Sequence, residues 1–206
     1  TEKIKEAIGS KMPERTGIDK FLDEQKRDWG TEGHAFIENY ISNSLIDENG
    51  YKRPTPVNVV ISTKLNDTVQ EKLRNFAVEL INSYPEGTRF ILEKRGVNKK
   101  VKGMLASTLD FIAIQPVTKE DGTKDVKVDV LDWKFTNVKK DIDEDIPWYK
   151  RKEWKEQMGE YVKILYNYGI KSNQLGKTRM IPFQANYSFV TPKDPKSGLK
   201  FTSIEI

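Results

Sequence analysis

The sequence predicts one mixed α/β domain of the α+β kind, with helices packed on a mixed central β-sheet. Three observations carry this. Two stretches, 69–84 and about 150–168, repeat apolar residues at helical spacing. Runs rich in β-branched and aromatic residues lie between and after them, separated by turn residues. The 206 residues, 36% hydrophobic and 10% aromatic, suffice for one core without disulfide staples.

Taken in order, residues 1–30 read as charged helical pieces ending at Trp29-Gly30, an N-terminal extension of a single domain spanning 1–206. The opening on Thr1 rather than Met fits a piece of a longer or processed protein. Residues 31–46 suit a helix capped by Thr31, because His34, Ile37, Glu38, Ile41 and Leu45 recur at helical spacing. Asp47-Glu48-Asn49-Gly50 reads as its stop. The run 57–62, VNVVIS, predicts a short strand. In 69–84, Leu73, Phe76, Ala77, Leu80, Ile81 and Tyr84 form one stripe, ended by Pro85-Glu86-Gly87.

Strands are then expected at 88–94, 101–114 and 126–135, the last two joined by a hairpin at Lys119-Glu120-Asp121-Gly122. An acidic loop, DIDEDIP, occupies 141–147. Trp154, Met158, Tyr161, Leu165 and Tyr168 mark the second clear helix, and strands at 180–190 and 199–206 close the chain.

Composition narrows the chemistry. Without cysteine there are no disulfides, cysteine–zinc sites, iron–sulfur clusters or cysteine nucleophiles. With one histidine, a metal site must rest on carboxylates, which suits Mg²⁺ or Mn²⁺ better than Zn²⁺. The net charge of +4 permits an anionic partner without demanding one. No apolar run reaches the roughly 18 residues of a membrane span, and no signal peptide is visible at the start.

The strand 126–135 is the most informative. Val126, Val128, Val130, Asp132 and Lys134 share a face, so an apolar surface turns charged at one end. On the preceding strand Thr108, Asp110, Ile112 and Ile114 share a face, with Asp110 as the charged interruption. An ion pair capping the sheet would explain Asp132 and Lys134 alone. If the strands are antiparallel neighbours, however, Asp110 and Asp132 converge, and two close carboxylates favour a bound cation.

These residues resemble the Asp…Asp-x-Lys signature of the PD-(D/E)XK nuclease superfamily. Three further segments extend the likeness to its RecB-like branch. GTEGHAFIENY (30–40) resembles the G-x-x-x-H helix, with His34 as its histidine; KGMLASTLDFIAI resembles the G-x-x-D strand, with Gly103 and Asp110 at a longer spacing; and WKEQMGEYVKIL resembles the Q-x-x-x-Y helix, with Gln157 and Tyr161. VDVLDWKFTN, with Asp132, Lys134 and Thr136, supplies the D-x-K-T segment. The four motifs occur in the family's order over about 30–166. Leu109 stands before Asp110 in place of proline, and the iron–sulfur cysteines of several relatives are absent. A spacer of about 75 residues separates His34 from Asp110.

The resemblance implies a restriction-endonuclease-like core and a DNA phosphodiester hydrolase, exonuclease rather than endonuclease by analogy, acting in replication, recombination, repair or processing. It implies Mg²⁺ or Mn²⁺ held by His34, Asp110, Asp132 and the Trp133 backbone carbonyl, with Lys134 positioning water and Gln157 and Tyr161 supporting the site. Glu38, one turn after His34, is a further candidate, though a solvated helix glutamate is the simpler reading. The rival is a catalytically inactive nucleic-acid-binding module of a larger replication or packaging assembly.

Lys150, Arg151, Lys152 and Lys155, interleaved with Trp148, Tyr149 and Trp154, suit contact with the DNA backbone, single- or double-stranded. A second basic cluster, Lys94, Arg95, Lys99, Lys100 and Lys102, fits a solvated face as well. Two other motifs fail. Asp141, Asp143 and Asp145 begin like a calcium loop, but Ile146 and Lys152 stand where Gly and Glu are needed. Gly176-Lys177-Thr178 ends like a phosphate-binding loop but lacks the earlier glycine. A helicase or recombinase partner, no membrane association, and a cytoplasmic bacterial or phage setting complete the expectation.

Overall fold

The computed structural model describes residues 17–98, 105–136, 148–189 and 199–205, with side chains over 27–96, 107–135 and 149–183. In chain order the elements are helix α1 (Gly17–Tyr40), a π-turn (Ile41–Leu45), helix α2 (Asp67–Asn82), strands β1 (Arg89–Asn98), β2 (Leu105–Thr118) and β3 (Lys124–Thr136), helix α3 (Trp148–Asn167), and strands β4 (Leu175–Phe189) and β5 (Leu199–Glu205). The mixed α/β class expected from the sequence is the class observed.

One five-stranded sheet runs β1-β2-β3-β4-β5. The pairs β1–β2, β2–β3 and β4–β5 are antiparallel, whereas β3–β4 is parallel. A parallel pair cannot be joined by a tight turn, and α3 lies in the crossover between β3 and β4. The expected hairpin forms at the other end of β3: Thr118 pairs with Lys124, and Gly122, at φ 80°, makes the turn that an L side chain rarely adopts.

Helix α1 corrects the sequence reading. It passes without a break through Trp29-Gly30, so Thr31 lies inside it and caps nothing. The Thr31 hydroxyl instead donates to the carbonyl of Arg27, 3.0 Å away in the preceding turn. The stop at 47–50 is as expected. Asp47 Oδ1 accepts the amides of Asn49 and Tyr51 at 3.0 and 2.8 Å, and Gly50 turns the chain where a Cβ would lie 2.3 Å from the Phe90 carbonyl.

The expected strand at 57–62 does not form; the segment carries no regular structure. Prolines at 54 and 56 cannot donate to a ladder. The segment is tied down elsewhere: the Val57 amide donates to the Ser44 carbonyl at 3.0 Å, and the Ser44 hydroxyl returns to the Val57 carbonyl at 2.6 Å. Further along, Glu32 Oε2 accepts from Thr63 Oγ1 and from the Lys64 amide.

Helix α2 begins two residues before the expected 69, because Asn66 caps it by accepting the Val69 amide at 2.9 Å. Its buried stripe is Val69, Leu73, Ala77 and Ile81. The sheet is covered on both faces. Helices α1 and α2 bury Phe36, Ile37, Leu73 and Ile81 against Phe90, Phe111, Ala113, Leu131, Trp133 and Phe183. Helix α3 buries Met158, Tyr161, Ile164 and Leu165 against Leu109, Ile112, Val128 and Val130. The acidic loop 141–147 and Lys99, Lys100, Lys102 and Gly103 lie outside the described residues.

Leu73 is 0% exposed in the centre of the first layer. Leu73→Ala is expected to destabilise the domain by about 2–5 kcal/mol. Urea unfolding checks this: the midpoint falls while the slope stays the same.

Candidate functional site

The site arises where two strands part. The β2–β3 ladder runs from Thr118↔Lys124 to Phe111↔Leu131 and ends there. The next pair in that register would be Asp110 and Asp132. Instead β2 continues along β1 alone, through Leu109↔Lys94, and β3 continues along β4 alone, through Asp132↔Met180. The two carboxylates occupy the fork. Asp110 Oδ2 accepts the Trp133 amide at 2.9 Å, a side-chain bond in place of the missing ladder bond.

One detail corrects the face assignment made for β2. Ile112 and Ile114 do face α3, but so do Ser107 and Leu109, which shifts the alternation by one residue at Asp110. β1 shifts at the same level: Ile91, Lys94 and Gly96 all face α3. The residue that turns β1 is Glu93, at φ 47°, in the left-handed region that costs an L residue about 1–2 kcal/mol. The double shift frees Asp110 from the α3 face and lets it meet α1. There His34 Nδ1 lies 3.2 Å from Asp110 Oδ2.

Asp132 is 1% exposed and differently held on its two oxygens. Oδ1 accepts from the Tyr161 hydroxyl at 2.7 Å and from Gln157 Nε2 at 3.3 Å. Gln157 Nε2 also donates to the Tyr161 oxygen. Positions i and i+4 on α3 thus act as one clamp. Oδ2 is paired with Lys134 Nζ at 2.5 Å.

Electrostatics mark the same place. Burial, and then the charge of Asp110, holds the Asp132 carboxyl above its ordinary range, against the pull of Lys134 and Tyr161. Burial and Asp110 likewise raise Glu38. Burial raises Glu93, aided by the charges of Asp110, Glu38 and Asp132 and opposed by His34. Tyr161 is pushed up by burial and by its bond to Asp132. Several carboxyls that resist joint ionisation form a place where a cation is favoured.

Ligand atoms of His34, Glu93 and Asp110 all lie within 4.8 Å of one another. One imidazole nitrogen with carboxylate oxygens suits Mg²⁺ or Mn²⁺. Asp132 is not in this group; its Oδ2 is taken by Lys134. A cleft of about 530 Å³ opens over this group, lined by Arg27, Thr31, His34, Glu38, Glu93, Lys134 and Phe135 among others. A smaller apolar hollow of about 180 Å³ under the end of α3 contains none of these residues.

Of the residues singled out in the sequence, His34 and Asp110 meet in this ligand group and Glu38 and Lys134 line the cleft, whereas Asp132 lies outside the group and is held by Lys134, Gln157 and Tyr161 on the other side of the fork. Trp133 contributes its amide to Asp110, and its ring is buried against Phe76, Phe111 and Phe183. Glu93 was missed. Its signal was an acidic residue interrupting the apolar run 90–92, but reading 88–94 as a regular strand concealed the left-handed turn. Arg151, Lys152 and Lys155 are exposed and Lys150 partly so, on the first turns of the helix that presents Gln157 and Tyr161. Compared with known proteins, the chain matches no protein-family model, no curated protein and no solved structure.

Two substitutions separate the roles of Glu93. Glu93→Gly relieves the left-handed strain and is expected to stabilise the metal-free protein by about 1 kcal/mol. Glu93→Gln removes only the charge. Because the folded carboxyl has a raised pKa, the wild type gains protons on folding, and its stability contribution is lost as pH rises from the ordinary value of 4.5 through the folded one. The gain from Glu93→Gln should therefore be smallest near pH 4 and grow towards pH 7, as denaturant midpoints measured across pH would reveal.

Proposed function

We propose that the chain is a metal-dependent nuclease of the PD-(D/E)XK superfamily, of the RecB-like type, on a restriction-endonuclease-like core. Its substrate is DNA and its reaction phosphodiester hydrolysis, exonucleolytic by analogy. The observation that carries this reading is the fork, which brings Asp110 to His34 and Asp132 to Lys134 where two strands part, beside an open cleft lined by His34, Glu93 and Lys134. An ion pair that merely capped the sheet would not need the histidine, nor a third carboxylate on a strained residue.

His34, Glu93 and Asp110 would hold Mg²⁺ or Mn²⁺, with Glu38 and the Asp132–Lys134 pair beside them. The ion supplies polarisation of the phosphate and acidification of a water. The rest falls to the chain. Tyr161 and Gln157 fix Asp132 through Oδ1 and leave Oδ2 turned to Lys134. The Trp133 amide fixes Asp110. In hydrolysis the water oxygen bonds to phosphorus as the bond to the leaving sugar oxygen breaks, and the Lys134 ammonium offsets the charge that builds on the phosphate. Lys150, Arg151, Lys152 and Lys155 attract the strand that enters the cleft. A helicase or recombinase working on the same DNA is the kind of partner this activity fits.

End-labelled single- and double-stranded DNA, incubated with Mg²⁺, Mn²⁺ or EDTA, tests the reading. Cleavage should require the metal, and Lys134→Ala should lower its rate at least about 100-fold. Binding without cleavage under every metal condition would favour the inactive DNA-binding module instead. On α3, each of Lys150→Ala, Lys152→Ala and Lys155→Ala should reduce the slope of log affinity against log salt by about 1. Fluorescence anisotropy at several salt concentrations measures that slope.

A further inference from the structure

The glycine that most constrains the site is not the one in the G-x-x-x-H spacing. At Gly30 a Cβ would meet only Phe135 Cβ, at 3.8 Å, an ordinary contact. At Gly33 a Cβ would stand 2.1, 2.4 and 2.8 Å from three atoms of the Phe135 ring. The ring tip therefore rests directly on the backbone of α1, one residue before His34. The plane of the ring is set by its stack on Phe183, 4.9 Å away at an interplanar angle of 14°, and Phe183 is 0% exposed. The same ring tilts against the His34 imidazole at 5.5 Å. Phe135 follows Lys134 on β3, so this contact joins the strand that carries Asp132 and Lys134 to the helix that carries His34 and Glu38.

We infer that the Phe135 ring, seated in the gap left by Gly33, is the positioning element that holds His34 against Asp110. Gly33 acts by having no side chain, and Phe135 acts as the spacer between helix and strand. The inference deepens the nuclease reading by naming what sets its metal ligand, and its first readout does not depend on that reading.

Because the chain has one histidine, its imidazole signals in NMR report His34 alone. With Nδ1 3.2 Å from Asp110 Oδ2, the wild-type Nδ1 proton is expected to give a slowly exchanging downfield signal. Gly30→Ala should keep that signal, and Gly33→Ala should lose it. Mn²⁺ affinity by calorimetry should fall at least about tenfold in Gly33→Ala, with kcat for DNA cleavage falling more than KM rises, since small misplacements of reacting groups cost orders of magnitude in rate. Phe135→Ala, which empties the gap and leaves the helix unaltered, should show the same losses and serves if Gly33→Ala does not fold. A wild-type Nδ1 signal and Mn²⁺ affinity in either folded variant would overturn the inference. Loss of the signal in a protein whose wild type neither binds Mn²⁺ nor cleaves DNA would uphold the positioning role and sink the nuclease reading.

Discussion

The end of the β2–β3 ladder at Phe111 and Leu131 is the constraint on which the rest depends. Up to that pair the backbone amides and carbonyls satisfy each other. Beyond it each strand keeps only one neighbour, and the opened space is bridged by side chains. Asp110 takes up a backbone amide of β3, while Asp132 turns to the opposite layer and is held by α3. A buried carboxylate is costly unless it is hydrogen-bonded or paired. Asp110 meets that requirement through the Trp133 amide, and Asp132 through Tyr161 and Gln157 on one oxygen and Lys134 on the other.

The position of the fork explains why helices on opposite faces reach one site. The phase shift at Glu93 and Asp110 sends one carboxylate towards α1, and unbroken alternation on β3 sends the other towards α3. A regular ladder through this level would have put both carboxylates on the α3 face, among Ile112, Val128 and Val130, with the histidine on the far side of the sheet. The strain at Glu93 and the mutual repulsion of the carboxyls are thus local costs borne by the two apolar layers around them.

Much of this was legible in the residues. The stripe of α2 and the Lys119–Gly122 turn gave clear periodic or turn signals, and the charged ends of two apolar strands gave the site its Asp110, Asp132 and Lys134. Other features were not. Thr31 looks like a cap because nothing local tells that the helix has already begun at Gly17. The 57–62 run has strand composition, but pairing is a tertiary matter and no described strand lies against it. Alternation by two placed Asp110 with Ile112, since a bulge leaves little trace in composition. Glu93 fell out of view for the same reason. Gly33 could not be ranked above Gly30 without knowing which ring leans on the helix.

The parallel pairing of β3 with β4 bears on the order in which the molecule assembles. β1, β2 and β3 form a meander whose partners are close in sequence, and such contacts close cheaply. The half of β3 that bears Asp132 and Lys134 has no neighbour there. Its partner residue, Met180 for Asp132, lies 180 − 132 = 48 positions later, beyond the whole of α3. The meander can therefore close while the end of β3 that bears Asp132 and Lys134 is still a free edge, and the geometry of the fork is complete only once the crossover helix has docked and β4 has paired.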